Sequence, residues 1–205
     1  SFFVPPNLLP VPLWGAVYHD YILSGNLGQG FNSAAGDPVY TNLLMALDLT
    51  HGKFLSIGNW FADTRVLFNK AITSADPMKQ TYDYSRNIVQ SFSFLRPYAL
   101  EGEMLRPLPD TFFDTLDAAA LTKPWSSVWK TLGGKIGIVI TNPTSNPATL
   151  TSSVNFGTYG IPTGRPVKIY RTTTTSSRVW FAEVTGSYEL IETIQPLDVI
   201  LIEFE

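Results

Sequence analysis

Gly133-Gly134-Lys135-Ile136-Gly137-Ile138-Val139-Ile140-Thr141-Asn142-Pro143-Thr144-Ser145-Asn146 sets the class of the second part of this 205-residue chain. Ile136, Ile138 and Ile140 recur at period two, the spacing of a strand with one face turned to a core. Asn142 to Asn146 is turn chemistry, and beyond it Ala148, Leu150, Ser152 and Val154 alternate again. Val167 and Ile169 mark a third strand, Val179 and Phe181 a fourth, and Tyr188, Leu190 and Ile194 a fifth. Leu197 to Phe204 is a last, nearly continuous apolar strand. Short strands separated by turns predict an antiparallel β-sandwich over residues 126–205. The run Thr172 to Thr175 with Ser176-Ser177 predicts a hairpin loop within it. Composition agrees: residues 1–125 hold 8 Thr and the shorter 126–205 hold 13, as strand preference for β-branched residues requires.

Working outward toward the N-terminus, the pattern changes to alternating strand and helix. Val11 to Tyr18 is a mostly apolar run without alternation, which fits a strand buried on both faces of a parallel sheet. Lys53 to Gly58 reads as a second strand. Asp37-Pro38 opens a helix, with Asp at the N-cap and Pro at the first helical position. Val39, Leu43 and Leu47 then share one face, and His51-Gly52 closes the helix with Gly in the left-handed C′ role. Asp76-Pro77 repeats the start signal, and Met78, Tyr82, Ile88, Val89, Phe92 and Leu95 form the next apolar stripe. Strand–helix–strand–helix order implies βα units. The expected organisation is therefore α/β followed by all-β, with a partial (β/α) segment over 1–106, a proline-marked linker over 107–125 and the sandwich over 126–205. Trp125, Trp129 and Trp180 are expected in the sandwich core or at its seam with the first part.

Charge and composition narrow the function. There are 14 Lys+Arg against 17 Asp+Glu, a formal charge of −3. With no basic stripe, binding to nucleic acid by counter-ion release is not expected. No apolar stretch is long enough to span a bilayer, and the N-terminal Ser1-Phe2-Phe3-Val4 lacks the basic start of a signal peptide. The chain begins without Met, as an excised piece would. It has no cysteine and only His19 and His51, so nothing calls for a metal or other cofactor. The compartment stays open, an extracellular one being compatible with the absence of cysteine. Gly25, Gly28 and Gly30 lack the spacing of a phosphate loop, and no serine sits in a nucleophile elbow.

Val17-Tyr18-His19-Asp20-Tyr21, Phe94-Leu95-Arg96-Pro97-Tyr98 and Glu101-Gly102-Glu103-Met104-Leu105-Arg106-Pro107 resemble the C-terminal portion of a glycoside-hydrolase-like (β/α)8-barrel family, the DUF6259-type proteins. In that group the first motif is a late barrel strand, the last leads out of the final barrel helix, and a β-sandwich closes the chain. The resemblance runs through the whole sequence in the same order. It implies the last βα units of a TIM-type barrel and carbohydrate as the substrate class. A full barrel takes about 250 residues, whereas about 125 precede the sandwich here. Catalysis by a barrel then requires an upstream barrel segment or a second polypeptide.

Glycosidic hydrolysis uses two carboxyl groups, about 5 Å apart for retention and roughly 6.5–9.5 Å for inversion, and barrel sites lie at the C-terminal ends of strands. Asp20, just past the first strand, is the candidate catalytic acid or base, with His19 orienting it or binding a sugar hydroxyl; loop-anchoring hydrogen bonds are the plainer role for both. Trp60, directly after the second strand, is placed to stack on a sugar ring or to pack beneath the rim with Phe61. Asp63 faces the same rim or is a solvated helix residue. Asp37 and Asp76 are better explained as helix caps, and Glu101 and Glu103 as ion-pair partners of Arg96 or Arg106. Two rival readings remain: a non-catalytic carbohydrate-binding module with exposed aromatics on the sandwich, and a self-associating structural protein whose open sheet edges form a homo-oligomer.

Overall fold

The computed structural model describes residues 38–52, 79–108, 111, 122–164, 166–171, 179–180 and 186–205. The two expected parallel strands, residues 11–18 and 53–58, lie outside the described residues.

Helix α1 spans Pro38–Thr50. His51 N donates to Leu47 O at 3.0 Å and Gly52 N to Leu49 O at 3.2 Å, while Gly52 takes φ 64°, the left-handed stop that glycine permits. The expected single stripe underestimates this helix. Val39 is half-exposed, but Leu43, Met45, Ala46, Leu47 and Leu49 are buried together with Asn42, Asp48 and Thr50, so the helix is enclosed nearly all round. Helix α2 spans Lys79–Leu95. Its buried stripe is Thr81, Tyr84, Ile88, Ser91 and Leu95, at alternating spacings of three and four. Of the expected stripe, Ile88 and Leu95 are buried and Val89 is half-exposed. The stripe is rotated because polar contacts, invisible to hydropathy, fasten the helix. Tyr84 Oη and Thr141 Oγ1 are 2.6 Å apart, and Asn87 Nδ2 donates to Leu197 O at 2.7 Å. Burial pushes the Tyr84 hydroxyl well above its ordinary pKa, against the smaller opposing effect of the Thr141 hydrogen bond.

Pro97 follows, and the chain widens into a single π-turn, Arg96–Leu100, as proline's missing N–H disrupts α-helical pairing. Strand β1 is the dipeptide Glu103–Met104. The remaining strands are β2 (Trp125–Lys130), β3 (Ile136–Thr141), β4 (Ala148–Asn155), β5 (Val167–Arg171), β6 (Val179–Trp180), β7 (Ser187–Ile194) and β8 (Val199–Phe204), with a one-turn helix α3 at Phe156–Tyr159. All described pairings are antiparallel, in a six-stranded sheet ordered β1-β2-β3-β8-β5-β6 and a two-stranded sheet β4-β7. β1 and β2 are absent from the expected strands. Residues 172–177, expected as a hairpin loop, lie outside the described residues; the strands on either side, β5 and β6, pair.

The six-stranded sheet carries a separate apolar core on each face. Ile136, Ile138 and Ile140 of β3 and Ile200, Ile202 and Phe204 of β8 join Leu150, Val154, Leu190 and Ile194 of the small sheet. Val139 of β3 and Val199 and Leu201 of β8 join both helices, with Trp125 and Trp129. Successive strand residues point to opposite faces, so β3 and β8, being covered twice, are buried at every position. β4 and β7, covered once, alternate. Both tryptophans of β2 therefore lie at the seam with the helices; the Trp180 side chain is not described. Among the described residues no helix is long and apolar enough to cross a membrane.

One row of the register runs across all six strands: Met104, Trp129, Gly137, Glu203, Lys168 and Trp180. Gly137 leaves a gap in it, and the Tyr98 ring fills that gap. A Cβ at 137 would lie 2.5 Å from two Tyr98 ring carbons and 2.9 Å from Leu201 Cδ1. Gly137→Ala is expected to destabilise the chain by about 1–3 kcal/mol through overpacking, read as a lowered midpoint in urea. An unchanged midpoint would mean that the ring does not depend on the glycine.

Candidate functional site

Asp20, the candidate catalytic residue, and His19, Trp60 and Asp63, the candidate substrate contacts, all lie outside the described residues. So do Asp37 and Asp76. The remaining acidic pair is separated by its surroundings: Glu101 Oε1 accepts from Arg96 Nε at 2.6 Å, as expected of a structural ion pair, while Glu103 is exposed on β1 opposite Lys130. Gly102 between them is wedged. A Cβ there would meet Tyr98 O at 2.5 Å and Lys130 O at 2.6 Å. The segment from Leu95 to Met104 is thus a joint between helix and sheet: Leu95 and Tyr98 are buried in the seam, Gly102 N donates to Tyr98 O at 2.9 Å, and β1 pairs with the end of β2.

This joint forms one side of a cavity of about 430 Å³. The last turn of α2 supplies Ser93 and Phe94, and the π-turn supplies Pro97 and Tyr98. Opposite lie Thr131, Gly133 and Lys135 from the β2–β3 turn, with Tyr170 of β5 and Glu203 of β8 beneath. The turn is held tightly: Gly134 N donates to Thr131 O at 2.9 Å, Thr131 N to Lys135 O at 2.9 Å, and Lys135 N to Thr131 Oγ1 at 3.1 Å. Gly134 at φ 85° supplies the left-handed residue that closes it. The Phe94 and Tyr170 rings stack with centroids 5.7 Å apart and planes 19° from parallel.

Glu203 is only 6% exposed, and a carboxylate removed from water needs partners. Tyr98 Oη donates to its Oε2, and Tyr170 Oη donates to its Oε1 at 3.2 Å. Lys135 Nζ lies 3.5 Å and Lys168 Nζ 3.8 Å from Oε1. Both lysines also reach Glu205, Lys135 at 3.1 Å. The cluster is charge-balanced, two carboxylates against two ammonium groups. Lys168 is buried, whereas the Lys135 side chain is 43% exposed at the mouth. Such a site holds its polar groups in fixed positions beside an aromatic wall, which suits recognition.

Sequence reasoning missed this cluster. Glu203 interrupts the apolar run of β8, and Lys168 stands between Val167 and Ile169; charges at such positions signal buried, paired groups. Their partners are 33 to 105 residues away, so only the register brings them together.

No protein-family model and no curated protein matches this chain. Among solved structures, it is similar to a GH27 β-L-arabinopyranosidase from Geobacillus stearothermophilus, at 11% identity and TM-score 0.42, over 83% of this chain and 31% of that one. It is similar to a GH30 endoxylanase from Clostridium papyrosolvens at 14% identity and TM-score 0.38, over 60% and 28%. It is also similar to alpha-galactosidase I from Mortierella vinacea at 9% identity and TM-score 0.39, over 84% and 36%. The chain spans about a third of the length of these structures.

Proposed function

We propose that this chain is the C-terminal section of a glycoside-hydrolase-like protein of the DUF6259 type that acts on carbohydrate. In this reading the last βα units of a TIM-type barrel occupy residues 1–106 and pass through 107–125 into a β-sandwich over 126–205. Asp20 serves as acid or base with His19 beside it, Trp60 and Asp63 line the same rim, and an upstream segment or second polypeptide brings the remaining strands and the second carboxylate. The observation that carries the reading is the joint. The residues of the Phe94–Pro107 motifs run from helix α2 through the π-turn into β1, the helix-to-sheet passage that the family resemblance requires of them.

The test compares the polypeptide as encoded in its source with this chain alone, on a panel of aryl glycosides and oligosaccharides. The encoded polypeptide is expected to hydrolyse at least one, and Asp20→Asn to lower kcat about 100-fold or more, while the chain alone stays silent. Absence of hydrolysis by the encoded polypeptide, or full activity of Asp20→Asn, would overturn the reading. An accessory, carbohydrate-binding role is the second reading, favoured by the charge balance at Glu203 and Glu205: both carboxylates are engaged by lysines and neither is presented as a proton donor.

A further inference from the structure

We propose that the cavity between the end of α2 and the β2–β3 turn is a binding site for a single neutral sugar residue. Its volume, about 430 Å³, falls within the roughly 300–1,000 Å³ of small-molecule sites. The stacked Phe94 and Tyr170 rings give it an apolar wall, the surface that takes the C–H face of a pyranose.

The rim supplies what the hydroxyls of such a ring need. Lys135 Nζ has three protons and two named acceptors, Glu203 and Glu205, which leaves one to donate. Thr131 Oγ1 accepts from Lys135 N and keeps its own proton to give. Ser93 Oγ donates to Gln90 O at 2.8 Å and retains lone pairs to accept. Charge decides against other small ligands. The lysines are matched by Glu203 and Glu205, so an anion finds no uncompensated cation, and Glu203 is already engaged by two tyrosine hydroxyls and two ammonium groups, so an amine gains little. Gly133 keeps the mouth open: a Cβ there would meet only Thr131 Oγ1, at 3.8 Å. The preference for a sugar over another neutral polyol rests on the reading above.

The experiment uses the 205-residue chain, a panel of neutral methyl pyranosides at millimolar concentration, glycerol as a polyol control, inorganic phosphate and methylamine as charged controls, and saturation-transfer NMR with titration calorimetry. At least one pyranoside is expected to bind and glycerol not to. Gly133→Leu, which has room in the turn, is expected to weaken binding about tenfold or more by filling the mouth, at unchanged thermal midpoint. Tyr170→Ala is expected to weaken binding as well by removing the wall, with a lowered midpoint because Tyr170 also donates to buried Glu203. Absence of binding to every pyranoside, binding equal in wild type and Gly133→Leu, or preference for glycerol, phosphate or an amine would overturn the proposal. The two readings fail separately. Sugar retained in this cavity by a protein that hydrolyses nothing defeats only the catalytic reading. Hydrolysis with no sugar bound here defeats only this one.

Discussion

Replacing Trp129 by alanine is expected to lower the unfolding free energy by about 3–5 kcal/mol, in one cooperative transition. Trp129 is fully buried. It stands opposite Met104 on one side and Gly137 on the other, and it belongs to the core that holds both helices to the sheet. Its Nε1 donates to Ser127 Oγ at 2.7 Å, so the truncation also strands a buried hydroxyl. The space left lies between the joint and the sheet, where the wedged Gly102 and the Tyr98 ring prevent collapse. Urea unfolding followed by circular dichroism and by fluorescence of the remaining tryptophans gives the measurement. A loss below about 1 kcal/mol would show that the site relaxes, and two separate transitions would show that helices and sheet no longer unfold as one unit once this side chain is gone.

Glu203→Ala is expected to cost about 3–5 kcal/mol, the penalty for breaking a buried ionic cluster from one side. Two tyrosine hydroxyls lose their acceptor, and buried Lys168 is left with Glu205 as its acidic partner. Glu203→Gln, which keeps the shape and one acceptor oxygen, is expected to cost less. The decisive comparison is a double-mutant cycle: Glu203→Met with Lys168→Met is expected to be less destabilising than the sum of the single changes, since neither charge is then left alone. Additivity in denaturant midpoints would mean that the two groups do not interact and that the tyrosines and Lys135 hold the carboxylate.

The parts of the fold legible in the sequence are those set by local chemistry. Alternating Ile136, Ile138 and Ile140, the turn after Asn142 and the left-handed Gly52 each declare their conformation within a few residues. Strand β2 hid because Ser126 and Ser127 break its apolar pattern. Both are buried, but their hydroxyls are satisfied by Thr111, fifteen residues back, and by the indole of Trp129, two residues on, contacts that a hydropathy pattern does not register. Trp125 consequently reads as the end of a linker when it is the first residue of a strand. In the cluster around Glu203 the buried charges could be suspected but their pairing could not, since the members come from the π-turn, the β2–β3 turn, β5 and β8. For Asp20, His19, Trp60 and Asp63, the sequence remains the ground of the reading.

Strand β8 has a further consequence, for the order of events as the polypeptide leaves the ribosome. It follows all other described strands in sequence yet lies between β3 and β5 in space. Until Val199–Phe204 emerges, β3 has no neighbour on one flank, β5 is cut off from the rest, and neither core can close. The pairing β3–β8 spans some sixty residues, a closure that is slow to form. The nascent chain must therefore keep the isoleucines of β3 from foreign strands throughout synthesis of the segment between them. Stalling before residue 199 leaves an aggregation-prone intermediate and no smaller native core.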